Sequence, residues 1–445
     1  MTPRQPTAPG VAGSQGLLAL RRRAERIARA LDVLVWCPRL SPGGGIRLLL
    51  SLLPCLLRQD AIRSLRLVLP AGALDAQTLD LLRTDGLAVI ELAGQLRHGQ
   101  RHAELVVADD RVLEVRGSDA WRDETVRGLA AGCDVLYCPW PHGAPPPDAG
   151  VPIVCTYQDT TLIDYPEVAG QPASDRERKV CAVWLRRGAA TVVSSRSTSA
   201  NLQRLYGALG ADVRVIGHAI MPRPLLHDRV ADIRQPVGLP PRYVVFAGNS
   251  TEHKNLDLLL AAWSRFDARR DWPLVVFGYG TEALRGAAKD GDARAVHLRA
   301  LVTRLGLGPD DGLHALGYVA DSAVAPLIAG AAALIVPTFT EGGGSFPAEE
   351  ALTLGVPVLC SDIPVMREHL GQRSATIGWF DPWSVDSIER AVRDLVADHP
   401  ARLASAIAGR ADRRPTWEDV AAQYAAVLVE AARTAPRDTR SASPG

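Results

Sequence analysis

The chain has 445 residues, 47% hydrophobic and 22% charged, which is enough for two or three domains that each bury a core. A formal net charge of +1 provides no electrostatic footprint for nucleic acid or for a strongly acidic partner. Seven scattered cysteines, an odd number with no CxxC pair and mostly in apolar runs, argue against a disulfide framework and fit core thiols in a reducing cytoplasm.

Residues 1–15 and 433–445 are rich in Pro, Ser, Ala and Gly, the composition of disordered tails. Residues 17–30 (LLALRRRAERIARA) read as a basic amphipathic helix, a solvated face more readily than a membrane-seeking one. No signal-peptide core opens the chain, and no stretch reaches the ~18–20 apolar residues of a membrane span, so a soluble, cytoplasmic protein is expected.

From Leu31 apolar runs alternate with helical patterns. Strands are expected at Asp32–Cys37, Ser64–Leu69, Ala88–Leu92, Asp134–Cys138, Ile153–Tyr157, Thr191–Ser194 and Val213–Ile216, with helices at Ile46–Leu57, around Thr78–Leu82 and at Glu177–Arg187. Runs without polar alternation indicate parallel strands covered on both faces. Proline-dense residues 221–241 read as a linker. A second series follows, with strands Tyr243–Ala247, Pro273–Phe277, Leu313–Leu316 and Ala332–Val336 and helices Leu256–Ser264, His297–Leu305 and Ser322–Ala329. The expected layout is a tail and basic helix (1–30), an α/β domain (31–220), the linker (221–241), a second α/β domain (242–415), a helix (416–432) packing across the junction, and a tail (433–445). Two doubly wound domains imply a cleft outside the carboxyl ends of their strands.

The richest stretch lies after Val336. Pro337 ends the strand, and a loop carries Glu341, three glycines and Ser345. Pro347 takes a first helical position with Glu349 and Glu350 in the opening turn, and Gly355-Val356-Pro357-Val358 leads into the next strand. Glycines allow backbone amides to approach phosphate or sugar oxygens, and carboxylates beside them suit the hydroxyls of a sugar.

Five stretches of the second half, in this order and spacing, resemble glycosyltransferase family 4, the retaining, nucleotide-sugar-dependent group 1 glycosyltransferases of the GT-B fold. They are Phe246-Ala247-Gly248-Asn249 with His253-Lys254-Asn255-Leu256; Val276-Phe277-Gly278-Tyr279-Gly280; Leu316-Gly317-Tyr318-Val319 with Asp321; the glutamate loop; and Gly355-Val356-Pro357-Val358 with Ser361-Asp362. Gly43-Gly44-Gly45, Thr156-Tyr157-Gln158-Asp159, Ala190–Ser194 and Arg214–Gly217 extend the resemblance over roughly residues 31–432. It implies two Rossmann-like domains facing across a cleft.

The family pattern is Glu, seven residues, Glu. Counting from Glu341 gives Glu349; anchoring on the helix that follows gives Glu350, with one residue inserted in the loop, and a packed helix cannot shift register without moving its apolar face. The resemblance then implies that Glu350 accepts hydrogen bonds from ribose hydroxyls and Glu341 contacts the transferred sugar, while Glu349 complements the helix N-terminus. Lys254 would neutralise the departing diphosphate. Asn249, Gly343, Gly344, Ser345, Phe346, Tyr318 and Val319 complete the donor-binding set, with Gly44 and Gly45 approaching from the first domain. Relatives often carry an arginine where this chain has Asn249; Arg47 is a candidate replacement. Relatives also place a histidine where this chain has Gln158. Asp159 serves either the reacting sugar or an Asx turn, and His218 either reaches the cleft or fills the hinge.

The implied chemistry is front-face substitution with retention, in which the leaving diphosphate takes the acceptor proton and no metal or other cofactor is needed. GDP-mannose is the first expectation for the donor, with UDP- and dTDP-sugars as alternatives. The acceptor expected is a glycan or lipid-linked oligosaccharide, with peripheral contact at the inner membrane leaflet and no nucleic-acid partner. An epimerase or a non-catalytic sugar-binding protein of the same fold are the alternatives. A nicotinamide dehydrogenase is disfavoured because no Gly-x-Gly-x-x-Gly opens either series.

Overall fold

The computed structural model describes residues 30–40, 44–82, 84–92, 104–108, 112–116, 123–168, 170–219, 239–286 and 292–434. The expected basic helix at 17–30 (but for Ala30), Gly43, most of the linker and most of both tails lie outside the described residues.

Two sheets form from the two alternating series. The first comprises β1 (Leu31–Trp36), β2 (Ile62–Pro70), β3 (Leu87–Leu92), β4 (Glu104–Ala108), β5 (Val112–Arg116), β6 (Val135–Cys138), β7 (Ile153–Tyr157), β8 (Ala190–Val193) and β9 (Val213–Val215), in the order β4-β5-β3-β2-β1-β6-β7-β8-β9. The second comprises β10 (Val244–Ala247), β11 (Leu274–Phe277), β12 (Leu313–Gly317), β13 (Ala333–Val336), β14 (Val358–Ser361) and β15 (Gly378–Phe380), in the order β12-β11-β10-β13-β14-β15. Strand order reverses beside β1 and beside β10, so β1/β6 and β10/β13 are the switch points at which such sheets open a crevice.

Neighbouring strands are parallel except for the β4–β5 hairpin, which the sequence reading missed. The central strands are buried along their whole length because helices cover both faces, which is why they read as unbroken apolar runs. Two helices start earlier than expected. Gln171–Arg187 begins with Pro172 in its first turn, and Ala293–Leu305 is capped by Asp292, which accepts a bond from Ala295 N.

The last helix, Trp417–Ala432, returns to the first domain. A capping box of Thr416 and Asp419 starts it, and Trp417, Val420, Tyr424 and Leu428 are buried with β1 and helix Gly44–Leu57. The Tyr424 hydroxyl lies 3.1 Å from Thr156 Oγ1, itself 2.8 Å from the Tyr137 hydroxyl, so this end of the chain is tied to the ends of β6 and β7. All seven cysteines are free thiols, six of them buried. Among the described residues no helix is long and apolar enough to cross a membrane.

Candidate active site

The second sheet's switch point is built by the turns after β10 and β13. Asn249 folds the first turn back on itself, its Oδ1 accepting from Thr251 N (3.2 Å) and Thr251 Oγ1 (2.5 Å). Asn255 then sits in the left-handed region, the one described non-glycine residue to do so, and is fully buried. Its side-chain amide donates to Pro337 O (2.8 Å) and Pro382 O (2.7 Å), which clamps the start of helix Leu256–Arg265 to the end of β13. That clamp holds Lys254 against the next loop, where its Nζ meets Glu341 Oε1 at 2.5 Å.

Ser345 caps helix Phe346–Leu354 by accepting from Ala348 N, so its hydroxyl is engaged in the fold. The two glutamates that follow part company. Glu349 is buried on the inner side of its domain, bound by Arg373 (2.5–3.2 Å) and Arg414 (3.3 Å). Glu350 faces the other domain and pairs with Arg47, which arrives from the opening turn of helix Gly44–Leu57, the helix that follows β1. The Arg47 guanidinium also lies 4.9 Å over the Phe346 ring. Arg47, Glu350 and Phe346 are thus one cluster, with Gly44 and Gly45 opening the helix that delivers Arg47. Tyr318 and Val319 follow β12, two strands from β10, and the Tyr318 ring is 74% exposed there.

The glycine triplet is a seam between the domains. A Cβ at Gly342 would lie 1.9 Å from the Gln158 carbonyl oxygen and 2.7 Å from Asp159 Cβ, and one at Gly343 would lie 2.3 Å from the His218 ring and 2.9 Å from Ser194 Cβ. A Cβ at Gly344 would meet His369 of its own domain at 2.8 Å. The sequence reading assigned this closeness to a ligand; at Gly342 and Gly343 the first domain occupies it. Further bonds close the cleft. Glu368 accepts from Arg196 N (2.8 Å) and Ser197 N (3.0 Å) at the N-terminus of helix Arg196–Tyr206, and Thr198 Oγ1 reaches Gly342 O (3.4 Å).

Asp159 forms the Asx turn, with Oδ1 accepting from Thr161 N at 2.9 Å, and Gln158 turns inward to donate to Pro139 O. His218 stacks on Phe346 (5.7 Å) and lies 6.2 Å from Trp417, where burial, then the neighbouring His369, pushes it down to about 4. Burial likewise lowers His369 and, with the Lys254 charge, His253. Among the described residues, ring nitrogens of His142, His218, His253 and His369 are buried without a hydrogen-bond partner.

Sequence reasoning quoted His253 within its motif without giving it a role, and missed Trp383 and His142 altogether. His253 lies one residue before Lys254, and its carbonyl accepts from Phe339 N and Thr338 Oγ1. Trp383 stacks on Phe339 at 3.8 Å and on Tyr165 of the first domain at 6.1 Å, joining the domains at the rim. His142 sits in the loop after β6, beside the first sheet's switch point. No periodicity or motif signals Trp383 or His142; only the fold brings them to the site.

Residues 231–412 match the family model described as glycosyl transferases group 1. The O-antigen chain mannosyltransferase B of Escherichia coli is 31% identical over 185 residues, 41% of this chain and 44% of that one. The MMP alpha-(1->4)-mannosyltransferase of Mycolicibacterium hassiacum is 33% identical over 128 residues, 28% and 31% of the respective chains. The matched segments therefore span less than half of those relatives. Solved structures extend the likeness to the whole fold. Anabaena HepE in complex with UDP-glucose superposes with a TM-score of 0.66 at 17% identity, covering 89% of this chain and 99% of that one. WaaG, a glycosyltransferase involved in lipopolysaccharide biosynthesis, gives 0.62 at 16% identity over 89% and 99%. The fold is GT-B, and residues 231–412 within it carry the likeness to the group 1 glycosyl transferases.

Proposed function

We propose that the chain is a retaining, family 4 glycosyltransferase that moves a hexose, mannose in the first instance, from a nucleotide diphosphate sugar to a growing glycan. The observation that carries this is the pair of ion pairs flanking the glycine loop, Lys254–Glu341 within the second domain and Arg47–Glu350 across the cleft. Each carboxylate here neutralises a cation. A diphosphate sugar exchanges with both: its phosphates take Lys254 and Arg47, and the carboxylates turn to sugar and ribose hydroxyls, which only donate to them. Arg47 supplies the second cation that Asn249 does not.

The bond from the anomeric carbon to the diphosphate breaks as the acceptor oxygen bonds on the same face, and the acceptor proton passes to the departing phosphate oxygen. Lys254 and Arg47 stabilise the charge that develops there, and this step needs no metal ion or protein nucleophile. Asp159, held in its Asx turn, shapes the first-domain wall beside the reacting sugar. The closed seam at the glycines excludes water that would hydrolyse the donor. Asn249, Gly344, Ser345, Phe346, Tyr318 and Val319 frame the donor, with Gly44 and Gly45 opposite, while Gly343 serves the seam against His218.

Two relatives named as mannosyltransferases support mannose, and GDP-mannose is the donor proposed. HepE holds UDP-glucose, which keeps a UDP-sugar as the comparison arm. The acceptor proposed is a lipid-linked oligosaccharide met at the inner leaflet by a peripherally attached protein. Thermal stabilisation by GDP, UDP and dTDP tests the donor class, because a ligand bound to the folded state raises stability by RT ln(1 + [L]/Kd). GDP should raise Tm most. If none of the three raises it at millimolar concentration, the proposal fails.

A further inference from the structure

We propose that His142 is a sugar-binding residue of this cleft, its Nε2 forming a hydrogen bond with a hydroxyl of the glycosyl ligand; this rests on the transferase reading above. The residue follows β6, whose carboxyl end and that of β1 flank the first sheet's switch point, the side that also delivers Arg47. Its side chain is only 12% exposed, and Nε2 is covered and has no partner. A buried ring nitrogen left unpaired is unfavourable, and a bound hydroxyl would satisfy it.

The imidazole is held for this purpose from its other nitrogen. Nδ1 lies 2.8 Å from Glu177 Oε1, and Glu177, 2% exposed in helix Gln171–Arg187, also accepts from Gly143 N (2.8 Å) and from the Tyr157 hydroxyl. Burial alone would raise the Glu177 carboxyl, but the donated bonds from His142, Tyr157 and Gly143 bring it below the ordinary range, so it is an anion. An ionised carboxylate only accepts, so Nδ1 carries the proton. Burial alone would lower the ring's pKa, but the Glu177 bond and the Asp159 and Glu177 charges raise it above the ordinary value, and Nε2 meets a hydroxyl, which can take either side of a hydrogen bond. The rings of Tyr157 (4.5 Å) and Trp140 (5.3 Å) pack tilted against the imidazole.

Asp159 links this group to the reacting centre. Its charge acts on His142 and on His253, while its Cβ lies against Gly342, the residue after Glu341. His142 thus feels the same carboxylate that borders the seam beside Glu341. The hydroxyl belongs to the donor sugar or to the acceptor, and one experiment separates these.

The variants are His142→Asn, whose amide keeps the Glu177 bond but has nothing at Nε2, and His142→Gln, whose amide reaches the Nε2 position but abandons Glu177. Release of GDP from GDP-mannose is measured without acceptor and with octyl α-mannoside, and normalised to the folded fraction. A tenfold or greater loss of kcat/KM in His142→Asn, partly restored in His142→Gln, supports the inference. Loss in the acceptor-free reaction assigns the donor sugar, and loss confined to stimulation by octyl α-mannoside assigns the acceptor. Activity of His142→Asn within twofold of wild type, or His142→Asn as active as His142→Gln or more so, overturns it. A wild-type protein that releases no nucleoside diphosphate refutes the transferase reading itself, a different failure.

Discussion

Replacing Gly342 by Ala isolates domain closure from everything else the glycine loop does. The new methyl carbon would lie 1.9 Å from the Gln158 carbonyl oxygen, where ordinary contact begins at 3.4 Å, a deficit of about 1.5 Å. That oxygen is backbone at the end of β7 and already accepts from Ser194 Oγ, so it cannot swing away as a side chain would. Gly342 has no positive φ, so alanine brings no local strain, and neither domain's core contains it. The strain is relieved by parting the two domains at the seam. A misplacement of about 1 Å between reacting groups costs about 100-fold in rate, so Gly342→Ala should lower kcat/KM for transfer by about two orders of magnitude. Affinity for the nucleoside diphosphate, which keeps Lys254 of the second domain and loosens only from Arg47, should fall less than transfer does, by about tenfold at most, the order of one weakened bond to a charged group. Steady-state release of GDP and calorimetric titration with GDP read the two quantities. Transfer within threefold of wild type would refute the closure argument.

The adjacent glutamates should separate by phenotype. Glu349→Ala leaves Arg373 and Arg414 without their buried carboxylate and should cost about 3–5 kcal/mol, on the order of 10 °C in Tm. Glu350→Gln should instead weaken donor binding by about 10–100-fold, the worth of a hydrogen bond to a charged group, with the smaller change in Tm; the reverse pattern would return the ligand role to Glu349. His218 predicts the acid limb of stability. Its folded value is about 4 against 6.5 for the unfolded chain, so the unfolded state takes the proton first and stability falls as pH drops from 6.5 towards 4. The full loss is about 3 kcal/mol, and denaturant titrations of His218→Phe should show a shallower fall than wild type; identical slopes would contradict it. Trp383→Ala removes both ring stacks and should weaken closure by about 1–3 kcal/mol, visible as a larger radius of gyration in small-angle scattering; an unchanged radius would show that the clasp holds nothing.

Much of the fold was legible because parallel strands buried on two faces leave a distinctive record, apolar runs such as Val135–Cys138 bounded by turns. The β4–β5 hairpin was not, because Glu104, Glu114 and Arg116 break the apolar run and an antiparallel pair at the sheet's end needs no second buried face. Three-residue β15 was too short to read. Within the site, the register of Glu349 and Glu350 could be argued because a packed helix fixes which side each faces. The Arg47–Glu350 pair was not legible, Arg47 being expected only as a second cation for the phosphates, since 303 residues separate the partners and only the mutual placement of the domains unites them. His142 was invisible for the same reason. Pro-Trp-Pro-His-Gly-Ala-Pro reads as loop, and Glu177 as one charge among many on a polar helix, until the fold buries them together.

The central claim is that Lys254 and Arg47 receive the diphosphate of a nucleotide sugar. Measuring GDP release from GDP-mannose by wild type, Lys254→Ala and Arg47→Ala, with UDP-glucose as the parallel arm, tests it most directly. The account predicts turnover by wild type with GDP-mannose preferred, and a fall of about 100-fold or more in either variant, the scale of one lost charge-stabilising group. Wild-type protein inert towards both donors, or variants as active as wild type, would contradict it.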